Sequence, residues 1–165
     1  MEKSDCRILL NNWEYKIDCK ELELVKALQK YCQKVTERNV NVKLKSYDTP
    51  DLFDDATQIK PKIGIEINPE SNKVTKLQVL SLSLDNAILL EGFDGLTELD
   101  LRNNKLKNLP VKLCDSLYNN KAKIYVYDNL IPEIEEKGAK TSGLFTSCIL
   151  NEKYSTIDYD LFKNE

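Results

Sequence analysis

The chain contains no histidine, the side chain that enzymes use most often as general base and proteins use most often as metal ligand. Without it, neither a Ser-His nor a Cys-His nucleophilic pair can form. The five glycines are isolated, so the chain has no glycine-rich loop of the kind that cradles phosphate. These absences argue against an enzyme, and we expect no catalytic residue, no cofactor and no metal.

The five cysteines are widely spread and none forms a C-x-x-C pair, so the ligand spacing of a zinc site is absent. They are Cys6, Cys19, Cys32, Cys114 and Cys148. Buried free thiols are the expected state. A Cys6–Cys19 bridge is the alternative if the protein is exported.

No apolar stretch approaches the length of a membrane span, and the first residues, Met1 to Asp5, carry no apolar signal region. No Asn-x-Ser/Thr sequon occurs either. We therefore expect a cytoplasmic protein without a membrane partner. The net charge is −3, and only three of the 24 basic residues are arginine, which argues against a free-standing nucleic-acid binder.

The N-terminal part of the chain combines one helix with short strands. Asp18 and Glu21 form a capping-box pattern at the start of a helix predicted from Asp18 to Val35. The apolar segment from Cys6 to Leu10, followed by Trp13, is expected to pack back on that helix. Further along the chain, strict alternation predicts strands at Val40 to Leu44 and at Ile63 to Ile67, and Pro50 opens a short helical segment from Asp51 to Thr57.

Residues 96 to 110 read LTELDLRNNKLKNLP and fit the pattern L-x-x-L-x-L-x-x-N-x-L at every specified position. On a short strand, Leu99 and Leu101 would both point inward. Asn104 would lie where the chain turns away, so that its amide can bond backbone groups of the neighbouring coil. The stretch Val111 to Leu117 has helical spacing and would form the outer side of the coil.

Two further copies accompany this segment. Ile124, Val126 and Asn129 repeat the strand and asparagine positions 25 residues after Leu99. An upstream copy begins at Leu77, which sets Leu80 and Asp85 at the positions of Leu99 and Asn104, 19 residues earlier. A register shifted by two residues fits the upstream copy nearly as well.

These segments resemble the leucine-rich-repeat family. The N-terminal part resembles the caps of its plant and fungal members, with Cys6, Leu9 and Trp13 ahead of Gly64–Asn68 and Val74–Leu77; those relatives are mostly secreted and carry disulfides. The resemblance implies an α/β fold: a short solenoid of about three repeats with a parallel β-sheet on its concave side and an α+β N-terminal cap. The cap would span residues 1–73, the repeats 74–137, and a C-terminal cap with an acidic, aromatic tail 138–165. In the last part, Gly138 to Leu150 would seal the core, and Asn151 to Glu165 would be a frayed end or a docking peptide that orders on binding.

Side chains between the strand leucines would point to the concave side and form columns. The expected columns are Val79, Glu98 and Lys123; Ser81, Asp100 and Tyr125; and Ser83, Arg102 and Tyr127. Tyrosine and arginine are favoured contact residues. The predicted partner-binding residues are therefore Glu98, Asp100, Arg102, Lys123, Tyr125 and Tyr127. A merely solvated sheet surface is the alternative.

The resemblance implies a non-catalytic protein–protein interaction module that binds a macromolecular partner through this concave face. Two alternatives remain. One is an accessory factor or subunit of a large ribonucleoprotein such as the ribosome, which docks mainly by protein contacts while lysines touch phosphate. Those lysines are Lys105, Lys107, Lys121 and Lys123. The other is a structural protein that forms a homodimer.

Overall fold

A computed structural model describes residues 6–45, 60–107, 109–126 and 129–130, and the backbone of three short strands beyond them. The fold is mixed α/β with a mostly parallel sheet. The strands are β1 Arg7–Leu10, β2 Trp13–Lys16, β3 Val42–Leu44, β4 Lys62–Ile67, β5 Val74–Leu80, β6 Glu98–Asp100, β7 Lys123–Tyr125, β8 Glu133–Glu136, β9 Ala139–Ser142 and β10 Asp158–Asp160. The helices are α1 Cys19–Thr36 and α2 Val111–Asn119, with a 3-10 helix at Ile88–Gly92.

The main sheet has the strand order β10-β7-β6-β5-β4-β3. Strands β5, β6, β7 and β10 run parallel, and β4 runs antiparallel to β5. Leu99 lies between Leu77 and Ile124 in register, and all three side chains are buried. The predicted adjacency of Leu99 and Ile124 is therefore confirmed.

The predicted register of the upstream copy is wrong by three residues. Leu77, and not Leu80, lies opposite Leu99, because β5 is also fixed by its antiparallel pairing with β4. Apolar residues crowd this stretch, so counting leucines could not choose between the registers. Asp85, expected in the place of Asn104, instead accepts a hydrogen bond from the Tyr31 hydroxyl.

Two asparagines each bond backbone groups of their own segment and of the preceding one, as predicted for Asn104. The amide nitrogen of Asn104 donates to the carbonyls of Val79 (2.6 Å) and Leu101 (3.0 Å). Its amide oxygen accepts from the backbone N–H groups of Leu82 and Leu84, both at 3.1 Å. In the next coil, the Asn129 amide nitrogen donates to the Leu101 and Val126 carbonyls, and its oxygen accepts from the N–H of Leu106. Buried backbone groups that the short strands leave unpaired are satisfied in this way.

Helix α1 begins and ends within one residue of its prediction. The Asp18 carboxylate caps it by accepting from the backbone N–H of Glu21 at 3.2 Å. The reciprocal half of the capping box is absent, because the Glu21 carboxylate points elsewhere: it accepts from the backbone N–H of Val74 at 2.6 Å. Glu21 is fully buried, so it ties the first turn of α1 to the start of β5.

Glu21→Ala should lower the free energy of unfolding by about 1–3 kcal/mol, because it leaves the buried Val74 N–H without an acceptor. Glu21→Gln keeps a carbonyl acceptor and should cost less. Burial raises the pKa of Glu21 above its usual 4.5, against the opposing effects of the Val74 N–H and Lys73. Its contribution to stability is therefore full below pH 4.5 and declines as the pH rises through the folded-state pKa. Urea unfolding at several pH values measures this. A decline of equal size in Glu21→Gln would refute the assignment.

Strands β1 and β2 form a hairpin around Asn11 and Asn12, whose φ angles of 51° and 71° suit asparagine in a two-residue turn. Leu10 is buried in the core. Trp13 was expected to pack on α1, but this prediction is wrong. Trp13 directly follows the turn at the hairpin tip, and its side chain is 71% exposed.

One core runs through both the predicted cap and the predicted repeats. It contains Leu10 and Leu28 from the N-terminal part, together with Phe93, Leu99 and Ile124. The boundaries at residues 73 and 137 remain predictions. In the described part of the chain, no helix combines the length and the apolar character needed to cross a membrane.

The expectation of free thiols holds for Cys32, which is buried, and is wrong for three other cysteines. Cys6 and Cys19 form a disulfide with a Cα–Cα distance of 5.2 Å, and Cys114 is disulfide-bonded as well. Cys148 lies outside the described residues. The bridge joins the start of the hairpin to the first residue of α1.

Replacing Cys6 and Cys19 by serine should cost about 2–3 kcal/mol, because the bridge closes a short loop and restricts the unfolded chain. Urea unfolding measures the loss, and peptide mapping without reduction should find the two cysteine peptides linked. Complete alkylation of both cysteines in the unreduced protein would contradict the pairing.

The C-terminal tail contributes a strand to the sheet. Tyr159 of β10 pairs with Ile124 of β7, so the prediction of a frayed end is wrong for Asp158–Asp160. Strands β8 and β9 form a separate antiparallel hairpin. The short helix predicted from Asp51 to Thr57 and most of the predicted C-terminal seal fall outside the described residues.

Candidate functional site

One face of the sheet carries the polar side chains that alternate with the core residues. The strand register places these side chains in two rows across β5, β6 and β7. The outer row consists of Lys76, Glu98 and Lys123. The inner row lies two residues further along each strand and consists of Gln78, Asp100 and Tyr125. The predicted pairs Glu98–Lys123 and Asp100–Tyr125 are therefore neighbours. The upstream members predicted for these two columns, Val79 and Ser81, are wrong because of the register shift: Val79 lies in the core, and Ser81 follows the end of β5.

The inner row is not accessible. Asp100 is 0% and Tyr125 4% exposed, and Arg102, two residues after Asp100, is 6% exposed. All three side chains are buried, and their assignment as partner contacts stays a prediction. The sequence pattern separates the two faces of a sheet, but it does not give the burial of the side chains on each face.

Asp100 of the inner row forms a buried ion pair with Arg102. The Arg102 Nε donates to the two carboxylate oxygens of Asp100 at 2.9 and 3.2 Å. Burial raises the pKa of Asp100, and the hydrogen bond and charge of Arg102 oppose that rise. A buried pair of this kind holds its own geometry and offers little to a partner, because separating the two charges in the interior is costly.

The outer row keeps accessible charge. Lys123 is exposed and its ammonium lies 5.2 Å from the centre of the Tyr125 ring, within cation–π range. Lys76 contacts Glu66 at 3.6 Å, and half-buried Glu98 contacts the buried Lys45 ammonium at 2.9 Å. Tyr127, also predicted as a contact, lies outside the described residues.

Sequence reasoning missed Lys45, Gln78 and Gly64, which complete the polar face. Gly64 lies opposite Gln78, and a Cβ at this position would stand 2.5 Å from the Gln78 side-chain oxygen and 3.1 Å from the Cα of Lys45. Glycine therefore leaves room for the Gln78 side chain beside β4, and a Cβ here would force that side chain to shift. A glycine inside an apolar alternating strand was the available signal.

A second concavity lies away from this face. Segments of β1, α1 and β3 surround an open groove of about 750 Å³. Sequence reasoning missed it, because segments distant along the chain form it and none of them carries a motif. No group of three or more His, Cys, Asp or Glu side chains that could hold a metal occurs among the described residues.

Comparison of the chain with protein-family models, curated proteins and solved structures finds no match. The site must therefore be interpreted from its own geometry.

Proposed function

We propose that the protein is a non-catalytic protein-binding module whose repeats form a short leucine-rich-repeat-like solenoid behind an N-terminal cap. The observation that carries the proposal is the in-register row Leu77, Leu99 and Ile124 with Asn104 and Asn129 bridging the coils behind it. The pairing of Leu99 with Ile124 and the two asparagine positions agree with the repeat pattern of the second and third copies. A solenoid of this kind hosts many partners, so the fold alone does not name one.

The partner contacts the outer row. Lys123 and Lys76 offer positive charge on either side of Glu98, and alternating charge favours a partner with the complementary pattern. Asp100 and Tyr125 lie buried beside the outer row on the same face, and Arg102 is hydrogen-bonded to Asp100. Two of the predicted contact residues, Glu98 and Lys123, are thus retained as binding residues.

The protein works in an oxidising compartment. The Cys6–Cys19 disulfide and the bonded Cys114 support this location, because cytosolic thiols are kept reduced. The cytoplasmic location predicted from the sequence is the weaker proposal for this reason.

Affinity capture of a partner with charge-reversal variants tests the binding face. The Lys76→Glu/Lys123→Glu variant should lose roughly tenfold or more of the partner that the wild type retains. The control, Lys30→Glu/Lys112→Glu, makes the same charge change at two exposed lysines on the helices and should retain the partner. Equal retention by all three proteins would refute the proposed face.

The ribonucleoprotein alternative gives a different result in the same assay. Lys105, Lys107, Lys121 and Lys123 are all exposed, so phosphate contacts are sterically open to them. Captured RNA whose binding falls steeply between low and high salt would favour that alternative. A captured protein that is free of RNA and is lost in Lys76→Glu/Lys123→Glu favours our proposal. Light scattering of the purified protein tests the homodimer alternative.

A further inference from the structure

The groove bordered by β1, α1 and β3 has an apolar floor. Ile8, Leu22, Val25 and Val42 line it, and Leu9, which is 65% exposed, stands at the same groove. Leu9 is among the most exposed large apolar side chains of the described residues. An apolar surface of this kind on a folded domain marks a site where a partner can exclude water.

The groove lies beside an edge strand of the main sheet. Among the described strands, β3 pairs with β4 alone, and Asn41, Val42 and Lys43 line the groove. The Lys45 N–H donates to Ile65 of β4, whereas the Leu44 N–H donates to the Asn11 side chain of the hairpin at 3.3 Å. The hairpin thus closes one end of the edge. Edge strands accept extended peptides through backbone hydrogen bonds.

The charge of the lining has one sign. Arg7, Lys26 and Lys43 line the groove, the other polar lining residues are amides, and no carboxylate is among them. Arg7 contacts Glu14 at 3.4 Å. Lys26 and Lys43 are exposed, and no described residue forms an ion pair with either of them. An occupant that supplies carboxylates to this side gains electrostatic complementarity.

We infer that the groove binds an extended segment of a partner protein in which carboxylate and apolar side chains alternate, added as a strand along β3. Successive side chains of a strand point to opposite sides, so the apolar ones can enter the floor while the acidic ones meet Lys43, which shares the face of Gly64. Lys26 of α1 lies on the floor side and adds positive charge to the groove. This site lies apart from the outer row and goes beyond the function proposed above.

Fluorescence polarisation with the oxidised full chain and labelled peptides tests the inference. The probe is an acidic peptide in which glutamate and leucine alternate, and its control has lysine in place of each glutamate. We expect the acidic peptide to bind and the lysine peptide to bind at least about tenfold more weakly. Equal binding of both peptides, or no binding of either at millimolar protein, would overturn the inference.

Variants locate the site. Lys26→Glu/Lys43→Glu should weaken binding of the acidic peptide roughly tenfold or more, whereas the control Lys30→Glu/Lys112→Glu should not change it. The variant Lys76→Glu/Lys123→Glu should also bind normally, so failure at the sheet face and failure at the groove are distinguishable. Circular dichroism verifies that each variant is folded. Unchanged affinity in Lys26→Glu/Lys43→Glu would reject the groove.

Two further measurements test whether the peptide binds as an added strand and whether the occupant of the groove is a separate partner. An acidic peptide that is N-methylated at alternate residues cannot donate those backbone hydrogen bonds, and we expect it to bind much more weakly than its parent. Undiminished binding would reject strand addition. Self-association of the wild type that is lost in Lys26→Glu/Lys43→Glu would identify a second copy of the chain as the occupant and overturn the inference of a separate partner.

Discussion

Replacement of Asn104 by alanine is expected to lower the free energy of unfolding by about 3–5 kcal/mol. The side chain is 6% exposed and bonds the backbone of Leu101 in its own segment and of Val79, Leu82 and Leu84 in the preceding one. Each buried backbone group left without a partner costs about 1–3 kcal/mol, and water entering the vacated space recovers part of the sum. Urea-induced unfolding followed by circular dichroism measures the loss.

Alanine substitutions at two other asparagines serve as references for this loss of stability. Asn129→Ala should cost less than Asn104→Ala, because Asn129 is only half-buried. Asn119→Ala, on the exposed side of α2, should change stability by less than about 0.5 kcal/mol. Equal effects at Asn104 and Asn119 would mean that the asparagine does not bridge the coils.

Leu99→Ala should destabilise the protein by about 3–4 kcal/mol, near the middle of the range for a fully buried leucine. Leu99 lies between Leu77 and Ile124 on neighbouring strands, so the cavity would open inside the row that aligns the coils. For a chain of this size, the loss corresponds to a fall in Tm of roughly 6–15 °C.

A matched leucine serves as its control. Leu130 is 55% exposed, and Leu130→Ala should leave Tm within about 2 °C of the wild type. If a thermal scan gives the same Tm for Leu99→Ala and Leu130→Ala, Leu99 is not a core residue. That result would contradict the interpretation of this segment as a repeat.

Local sequence signals predicted those helices and strands whose residue pattern fits only one kind of secondary structure. The Asp18 cap, the alternating strand that became β4 and the helical spacing after Pro110 each specified an element within a few residues of its bounds. The asparagine positions at Asn104 and Asn129 were also predictable, because only a residue with both donor and acceptor can serve the turn after each strand.

Features that depend on distant segments could not be predicted in the same way. The register of β5 is fixed by β4 as much as by its own leucines, so the sequence favoured Leu80, or Leu82 two residues later, over Leu77 as the neighbour of Leu99. The burial of Asp100 and Arg102 depends on what covers the sheet, and the Cys6–Cys19 pairing depends on the fold and the redox compartment together. The groove beside β3 is formed by three segments that are separate along the chain, and no local sequence pattern predicts that they lie together.

Scalar couplings across backbone hydrogen bonds, measured by NMR, test the in-register stacking of the coils most directly. We predict a coupling between the amide nitrogen of Thr97 and the carbonyl carbon of Thr75, whose N···O distance is 2.7 Å. A second coupling should join Lys123 to the Thr97 carbonyl, at 3.0 Å. A coupling from Thr97 to the carbonyl of Gln78 would instead place Leu80 beside Leu99 and contradict the account.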